Sequence, residues 1–516
     1  MWLALVIPFF FQVLGYGSNK GTAMGSGTFT RIGFQGAGRW RFSVGACLLV
    51  LLTAAGCAGN HEPNLALLYH DWASQKEGRP PLVGIHGLMG SEIVDPGTGE
   101  ILWGELKDLF QGSADMRLAL PIGPDQKTDL IPGTSIKKIG GMEIYSGIVE
   151  TLTQMGGYTK ASEPGSTPTA PFFPFAYDWR LSCAENAGHL ATFIASIQER
   201  YHDRSLKVDI VAHSMGGLVA RYYILYGGRD VLDEKNRGTT YAGAANVRKL
   251  VMLGTPNMGS AEALLALIEG KRVGLARIHP ELIATMPSMV ELMPSPSEHV
   301  LVTAGGEPTS LDIYDIETWK RQRWGIFDPA NEPGILRRYQ AVHPLTSDEE
   351  ARGFLRALQS HFCLLLQRAE AFHQALEADP IPASVQMLLL GGDCKPTLRR
   401  LVVEPEKGRW KVRRNPADVR HSIKGVDLWP LYYGPGDGDV TKSSLLAEVP
   451  ANALCAPHTD LPYAVSGFIC EDHRDLVKNW TFRDNLLNFL LYKPLPAATA
   501  CRLPAGSAPP PAPGPH

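Results

Sequence analysis

The sequence has no G-x-x-x-x-G-K-[ST] phosphate loop, no G-x-G-x-x-G dinucleotide fingerprint and no zinc-type spacing of cysteine and histidine. Nothing in it therefore asks for a nucleotide cofactor or a bound metal, and neither is expected. Excess charge is also missing. Lys and Arg number 49 against 52 Asp and Glu, a net charge of -3. That leaves no bulk attraction to nucleic acid, and no nucleic-acid partner is expected. A long apolar run is absent from the N-terminal region, where Phe42 to Leu52 is too short to cross a bilayer comfortably as a helix. What is present is a 44% apolar fraction spread over 516 residues, enough for a large buried core with insertions.

The short apolar run has a different use. Arg31, Arg39 and Arg41 precede it, and Ala54-Ala55-Gly56 lead from it to Cys57. A basic segment, an apolar segment and a small-residue cleavage site form an export signal. "LTAAG" followed by Cys57 resembles the lipobox of bacterial lipoproteins, which implies lipidation at Cys57 and a cell-envelope location, with Ala58 favouring the outer membrane. Plain secretion is the alternative. The segment before Met24 carries no basic residue ahead of its apolar run, so translation is expected to begin at Met24. Export would bring Cys183, Cys363, Cys394, Cys455, Cys470 and Cys501 into an oxidising compartment. Cys455 and Cys470 bracket a short loop and are the first expected pair.

Further along, apolar strands alternate with helices. "PLVGIHGLMGSEIV" (Pro81 to Val94), "FFPFAYDWR" (Phe172 to Arg180), "KVDIV" (Lys207 to Val211), "VRKLVMLGTPNMGS" (Val247 to Ser260) and "SVQMLLLGGD" (Ser384 to Asp393) read as buried strands. Helical spacing marks Glu143 to Met155 and Asn186 to Tyr201. Ser347 and Glu350 have capping-box spacing ahead of a stripe from Phe354 to Leu376, expected to pack against the sheet. Continuous apolar strands between helices predict an α/β fold with a mostly parallel sheet covered on both faces.

The chemistry gathers at "AHSMGG". Ser214 sits where a strand stops and a helix starts, with Ala212, Gly216 and Gly217 around it. A tight strand-to-helix turn lifts a serine hydroxyl clear of the backbone, and the helix start offers N–H groups to an oxyanion. The plain alternative is a serine that only caps the helix. A nucleophilic serine needs a base and an acid, which in this chain order follow it. Asp437, between two glycines, is the expected acid, with Asp439 and Asp393 as rivals. His473 is the expected base, with His213, His86 and His458 as rivals. The backbone N–H groups of Leu88, in "HGLMGS", and of Met215 are the expected oxyanion donors. Asp178 and Arg180 read as a buried ion pair without a chemical role.

These stretches as a set resemble the lecithin:cholesterol acyltransferase family, which includes phospholipid:diacylglycerol acyltransferases and lysosomal phospholipase A2. "HGLMGS", "GGY" (Gly156 to Tyr158), "YDWRLS", "AHSMGGLVARYY", "LGTPNMGS", "MPSMVELMP", "GDGDV" and the His473 loop carry the resemblance from Pro81 to Leu491. It implies an α/β-hydrolase fold with a cap and a lid, and Ser214, Asp437 and His473 as a triad. It implies too that Trp103, in "ILWGELKDLF", stands in the lid loop near the acyl chain. The expected layout is an export segment (1–57), a polar tether (58–79), a first core part (80–260, with a lid loop at about 95–140), a cap (261–383), a second core part (384–492) and a Pro/Ala-rich disordered tail (493–516). The expected activity is O-acyl transfer between lipids through an acyl-serine, at a membrane surface. The donor is a lipid acyl ester and the acceptor a lipid alcohol or water. A pure esterase or phospholipase, and an inactive binding protein of the envelope, are the alternatives.

Overall fold

In the computed structural model the apolar runs form one seven-stranded sheet. The structure describes residues 63–492 except 106, 109–114, 124–127, 137, 140–141, 144, 162–167, 236 and 449–460. The export segment with Cys57, Met24, Cys455, His458, Cys501 and the tail lie outside the described residues. The strands are β1 (Leu82–Ile85), β2 (Thr159–Lys160), β3 (Pro171–Phe175), β4 (Val208–His213), β5 (Val247–Leu253), β6 (Gln386–Gly392) and β7 (Val465–Ile469). Their order across the sheet is β7-β6-β5-β4-β1-β3-β2, and every pairing is parallel.

Strand alternation explains why the runs are apolar throughout. Val83, Ile210, Met252 and Leu389 enter one core, while Leu82, Val211, Val251 and Leu388 enter another on the opposite face. Helices α1 (Cys183–Arg200), α2 (Met215–Tyr226) and α3 (Asp348–Glu377) supply the first core, and α4 (Trp480–Leu491) supplies the second through Phe482, Leu486 and Leu487. Side chains two apart share a face, so a strand buried on both faces needs no polar alternation. Parallel strands, helices on both faces and a long excursion after β5 make this the expected α/β-hydrolase fold. Among the described residues no helix is long and apolar enough to cross a membrane.

The excursion between β5 and β6 begins with a helix, Ala261–Glu269, and a hairpin, Lys271–Val273 with Ala276–Ile278. It ends with α3, whose capping box of Ser347 and Glu350 forms as the spacing predicts. The α3 stripe does not pack on the sheet, because α2 already covers that face. Phe372 stacks on Tyr222 of α2 at 5.8 Å, and Phe362 meets Trp319 edge-on at 4.9 Å. Burying each such ring is worth roughly 1.5–3 kcal/mol.

Four other expectations change. The helix over Glu143 to Met155 is shorter, Ser146–Glu150, and continues as a π-helical turn, Thr151–Met155. The polar tether is folded from residue 63: Leu65 and Tyr69 are buried, and Tyr69 donates to Asp484 Oδ1 at 2.7 Å. The run from Pro81 to Val94 forms the expected strand ending in a glycine loop, and then an unexpected second strand, Ser91–Val94, which turns away into a small antiparallel sheet. Cys470 pairs with Cys394 rather than Cys455, because β6 and β7 are neighbours and end side by side.

The motifs hold one another. Asp178 and Arg180 form the expected buried ion pair at 2.6 Å, and Arg180 also donates to the Leu118 carbonyl. Glu291, from "MPSMVELMP", accepts from Ser182 Oγ at 2.5 Å and from Cys183 N–H at 2.7 Å, both at the start of α1. Burial raises the Glu291 carboxyl to about 7, although these bonds oppose the shift. The folded state therefore holds this proton more tightly than the unfolded chain does. The resulting stability is complete below the ordinary 4.5 and is lost as pH rises through about 7. Glu291→Gln keeps an acceptor for Cys183 and removes the titration. Thermal melting of this variant between pH 5 and 8 is expected to flatten relative to wild type, and parallel curves would refute the assignment.

Candidate active site

Ser214 is the single residue between β4 and α2, with φ 52° and ψ −128°. A non-glycine residue in such a conformation costs on the order of 1–3 kcal/mol and persists only where the surroundings enforce it. Here its N–H donates to the Leu253 carbonyl at the end of β5 (2.7 Å), and its carbonyl accepts from Gly217 N–H (2.9 Å). Its side chain makes no capping bond to α2, which removes the capping explanation for this serine. Met215 opens α2, so its N–H has no carbonyl one turn back in the helix and is available at the helix start.

Asp437 and His473 meet as an orienting pair. The Asp437 carboxylate is buried. Its Oδ2 lies 2.7 Å from His473 Nδ1, and its Oδ1 accepts from the N–H groups of Val440 (2.7 Å) and Asp439 (3.1 Å). The carboxylate is acceptor-only, so His473 Nδ1 carries the proton and Nε2 is the free nitrogen. The His473 N–H also donates to the Asp437 carbonyl at 2.8 Å. Burial disfavours the imidazolium, but the charge and hydrogen bond of Asp437, with Asp439 nearby, outweigh it and raise the His473 pKa above 6.5. Gly254 marks how closely the ring sits to the β5 end that holds Ser214. With φ +55°, a Cβ there would lie 2.8 Å from His473 Cε1 and 3.0 Å from Asp437 Oδ2.

The rivals stand elsewhere. Asp393 is half-exposed and faces Lys442 at 3.4 Å. The Asp439 side chain is half-exposed, 3.9 Å from Lys271. His86 is stacked on Tyr177 at 4.1 Å, and burial lowers its pKa to about 4. His213 is buried too, and burial followed by the His473 charge lowers its pKa to about 3.

Leu88 lies in the turn after β1, closed by Gly90 N–H to the Gly87 carbonyl at 3.1 Å. Gly87 approaches Ser214 so closely that a Cβ there would sit 2.7 Å from Ser214 Cβ. His86 Nδ1 donates to the same carbonyl at 2.8 Å, because its Nε2 accepts from Tyr177 N–H at 3.2 Å. The carbonyl of that peptide is thus clamped, and the Leu88 N–H on its opposite side is fixed with it. Tyr177 and Trp179 of "YDWR" brace the turn further, through Tyr177 Oη to the His86 carbonyl and Trp179 Nε1 to the Ser91 carbonyl. One contact has no mark in the sequence: Tyr145 Oη accepts from Gly87 N–H at 2.7 Å across 58 residues.

Trp103 is not on a free loop. It ends a short strand, Ile101–Trp103, buried edge-on against Trp179 at 5.7 Å, with Nε1 donating to the Met89 carbonyl at 3.2 Å. Strand pairing to Ser91–Val94 holds it there. With Met89, Leu118, Trp179, Met286 and Met289 it lines a narrow apolar cleft beside the Leu88 turn. Among the described residues no group of three or more His, Cys, Asp or Glu could hold a metal ion.

Residues 132–314 match the family described as Lecithin:cholesterol acyltransferase. The resemblance read from the motifs is thus found over a stretch that includes "YDWR", Ser214 and "MPSMVELMP", while Asp437 and His473 lie beyond it. The chain is similar to phosphatidylcholine-sterol acyltransferase of Gallus gallus, 23% identical over 264 residues, 43% of this chain and 59% of that protein. An uncharacterized protein of Saccharomyces cerevisiae is 29% identical over 153 residues, 28% of this chain and 21% of its own length. Among solved structures, a chain of the Tle4–Tli4 complex superimposes with a TM-score of 0.49 at 16% identity, covering 80% of this chain and 98% of its own. A Bacillus licheniformis lipase gives 0.31 at 12%, covering 81% and 94%.

The three histidines should separate in a titration. Followed by NMR, His473 is expected to titrate above 6.5, whereas His86 and His213 stay neutral well below pH 5. An Asp437→Asn variant should lower the His473 midpoint. A His213 midpoint near that of His473 would contradict the buried, neutral state.

Proposed function

We propose that this chain is a serine-dependent enzyme of lipid acyl esters, transferring the acyl group to a lipid alcohol, with hydrolysis as its side reaction. The observation that carries the reading is that a strained Ser214 without a capping bond and an Asp437–His473 pair both stand at the end of β5, Ser214 through Leu253 and the pair against Gly254. Ser214 Oγ attacks the ester carbonyl carbon while His473 Nε2 takes its proton. The carbonyl oxygen becomes an oxyanion between the N–H groups of Leu88 and Met215, each such donor typically contributing about 3 kcal/mol. Collapse returns the proton from His473 to the departing lipid alcohol and leaves an acyl-serine. A second alcohol, or water, then gives its proton to His473 and attacks the acyl carbon, and as the bond to Ser214 breaks His473 returns that proton to Ser214 Oγ. Asp437 keeps the His473 proton on Nδ1 throughout.

Similarity to the lecithin:cholesterol acyltransferase family over residues 132–314 supports a lipid ester as donor. The apolar side chains of Trp103, Trp179 and Met289 are packed together beside the Leu88 turn, and this apolar surface favours an acyl chain over a charged group there. Transfer over hydrolysis requires that the excursion over the site slow the access of water.

The test is to supply a labelled phospholipid with a sterol, a diacylglycerol or a long-chain alcohol and to separate the products. A new acyl ester is expected with at least one acceptor, and Ser214→Ala should abolish both the ester and labelling by a fluorophosphonate. Free fatty acid alone with every acceptor would refute transfer, and full labelling of Ser214→Ala would refute the nucleophile.

We propose further that the protein is exported and held at a membrane through a lipid on Cys57, on the strength of the "LTAAG"-Cys pattern. Incorporation of a palmitate analogue is expected in wild type and absent in Cys57→Ser; equal incorporation would rule the site out.

A further inference from the structure

Two halves of the site come from distant parts of the chain. The Leu88 turn follows β1, and the His473 loop follows β7, with β3, β2 and β4 to β6 contributed between them. A run of hydrogen bonds joins these halves. Gly87 N–H donates to Tyr145 Oη (2.7 Å), Tyr145 Oη lies 3.1 Å from His213 Nδ1, and His213 Nε2 lies 3.4 Å from the His473 carbonyl.

Proton bookkeeping fixes the direction of each bond. A carbonyl only accepts, so His213 Nε2 carries the hydrogen. His213 is buried and neutral, so it has one ring hydrogen and Nδ1 must accept. Tyr145 therefore donates to His213 and accepts from Gly87. Each nitrogen of the run then has one partner, and the Tyr145 hydroxyl both accepts and donates, so a satisfied buried network of this kind has one arrangement. Around it, Tyr145 and His213 rings pack edge-on at 5.6 Å, and those of His213 and His473 lie 4.8 Å apart.

We infer that Tyr145 is a positioning residue that sets the oxyanion turn in register with the histidine loop, acting through His213. The inference rests on the serine-enzyme reading of the site and adds a role to a residue outside the triad. The two ends of the run are the backbones that carry Leu88 N–H and the His473 ring. Their separation must match the distance between a developing oxyanion and the proton being transferred. Removing the Tyr145 hydroxyl leaves Gly87 N–H and His213 Nδ1 buried without partners, and both loops are then free to relax.

Tyr145→Phe is the direct test, with Tyr158→Phe as its control. Tyr158 is equally buried, and its hydroxyl has no hydrogen-bond partner among the described residues. On a p-nitrophenyl ester, Tyr145→Phe is expected to lower kcat by about 10- to 100-fold, the scale of a small misplacement of reacting groups. KM should stay within about twofold, and the fluorophosphonate labelling rate should fall with kcat. Tyr158→Phe should keep both rates. His213→Asn, which removes the donor to the His473 carbonyl, should lower kcat as well, and the double variant should fall no further than the worse single one. Thermal melting shows which variants are folded, and the His213→Asn arm decides the matter if Tyr145→Phe is not. Wild-type protein that fails to label overturns the serine reading and the relay with it. Labelling wild type beside an equally fast Tyr145→Phe, or a folded His213→Asn with unchanged kcat, overturns the relay alone.

Discussion

Everything in the site hangs from one bond between neighbouring strands. Ser214 N–H donates to the Leu253 carbonyl at 2.7 Å, one step past the last paired residues of β4 and β5. That bond holds Ser214 in a backbone conformation it would not otherwise adopt, and α2 can begin only because the turn is made there. The cost is local, on the order of 1–3 kcal/mol. The sheet offsets it with six buried residues of β4 and the apolar faces on either side. A strained serine is thus a consequence of parallel pairing rather than an isolated feature of the pentapeptide.

The same geometry brings in the other groups. Parallel strands all end at one edge, so the residues that follow β1, β4, β5, β6 and β7 share a single rim. Leu88, Ser214, Gly254, Asp393 and His473 stand at those five strand ends. The Cys394–Cys470 disulfide ties the neighbouring ends of β6 and β7 together. Asp437 arrives differently, on an excursion after β6 whose strand Tyr433–Gly436 pairs with Lys395–Leu398. This explains why Asp437, 45 residues past the end of β6 (437 − 392), pairs with His473 in place of Asp393, which stands at the strand end itself but faces Lys442.

The motif residues that carry no chemistry turn out to be braces. Tyr177 and Trp179 hold the Leu88 turn, Glu291 holds the start of α1 beside them, and Asn257 of "LGTPNMGS" donates to the Leu445 carbonyl at 2.6 Å below the Asp437 loop. Each is a buried polar group whose partner is backbone. Side chains that satisfy buried backbone groups fix loops that have no ladder of their own. A site built on loops is therefore as rigid as the sheet that displays it, and small displacements of its donors are costly.

The sequence by itself determined the periodicities and the local chemistry. Doubly buried strands, the α3 capping box, the Asp178–Arg180 pair and the elbow at Ser214 were legible because each depends on residues adjacent or a few positions apart. So were Asp437 and His473 as candidates, since chain order and loop glycines narrowed the choice. Tertiary structure decided what depends on long-range approach. It paired Cys394 with Cys470, folded Leu65 and Tyr69 onto the body, buried Trp103 against Trp179, and placed α3 on α2 instead of the sheet. It also joined Tyr145 to Gly87 and His213, contacts spanning 58 and 68 residues. No spacing announces such contacts, because the strands between them must pair before a hydroxyl and an amide so far apart in sequence can meet.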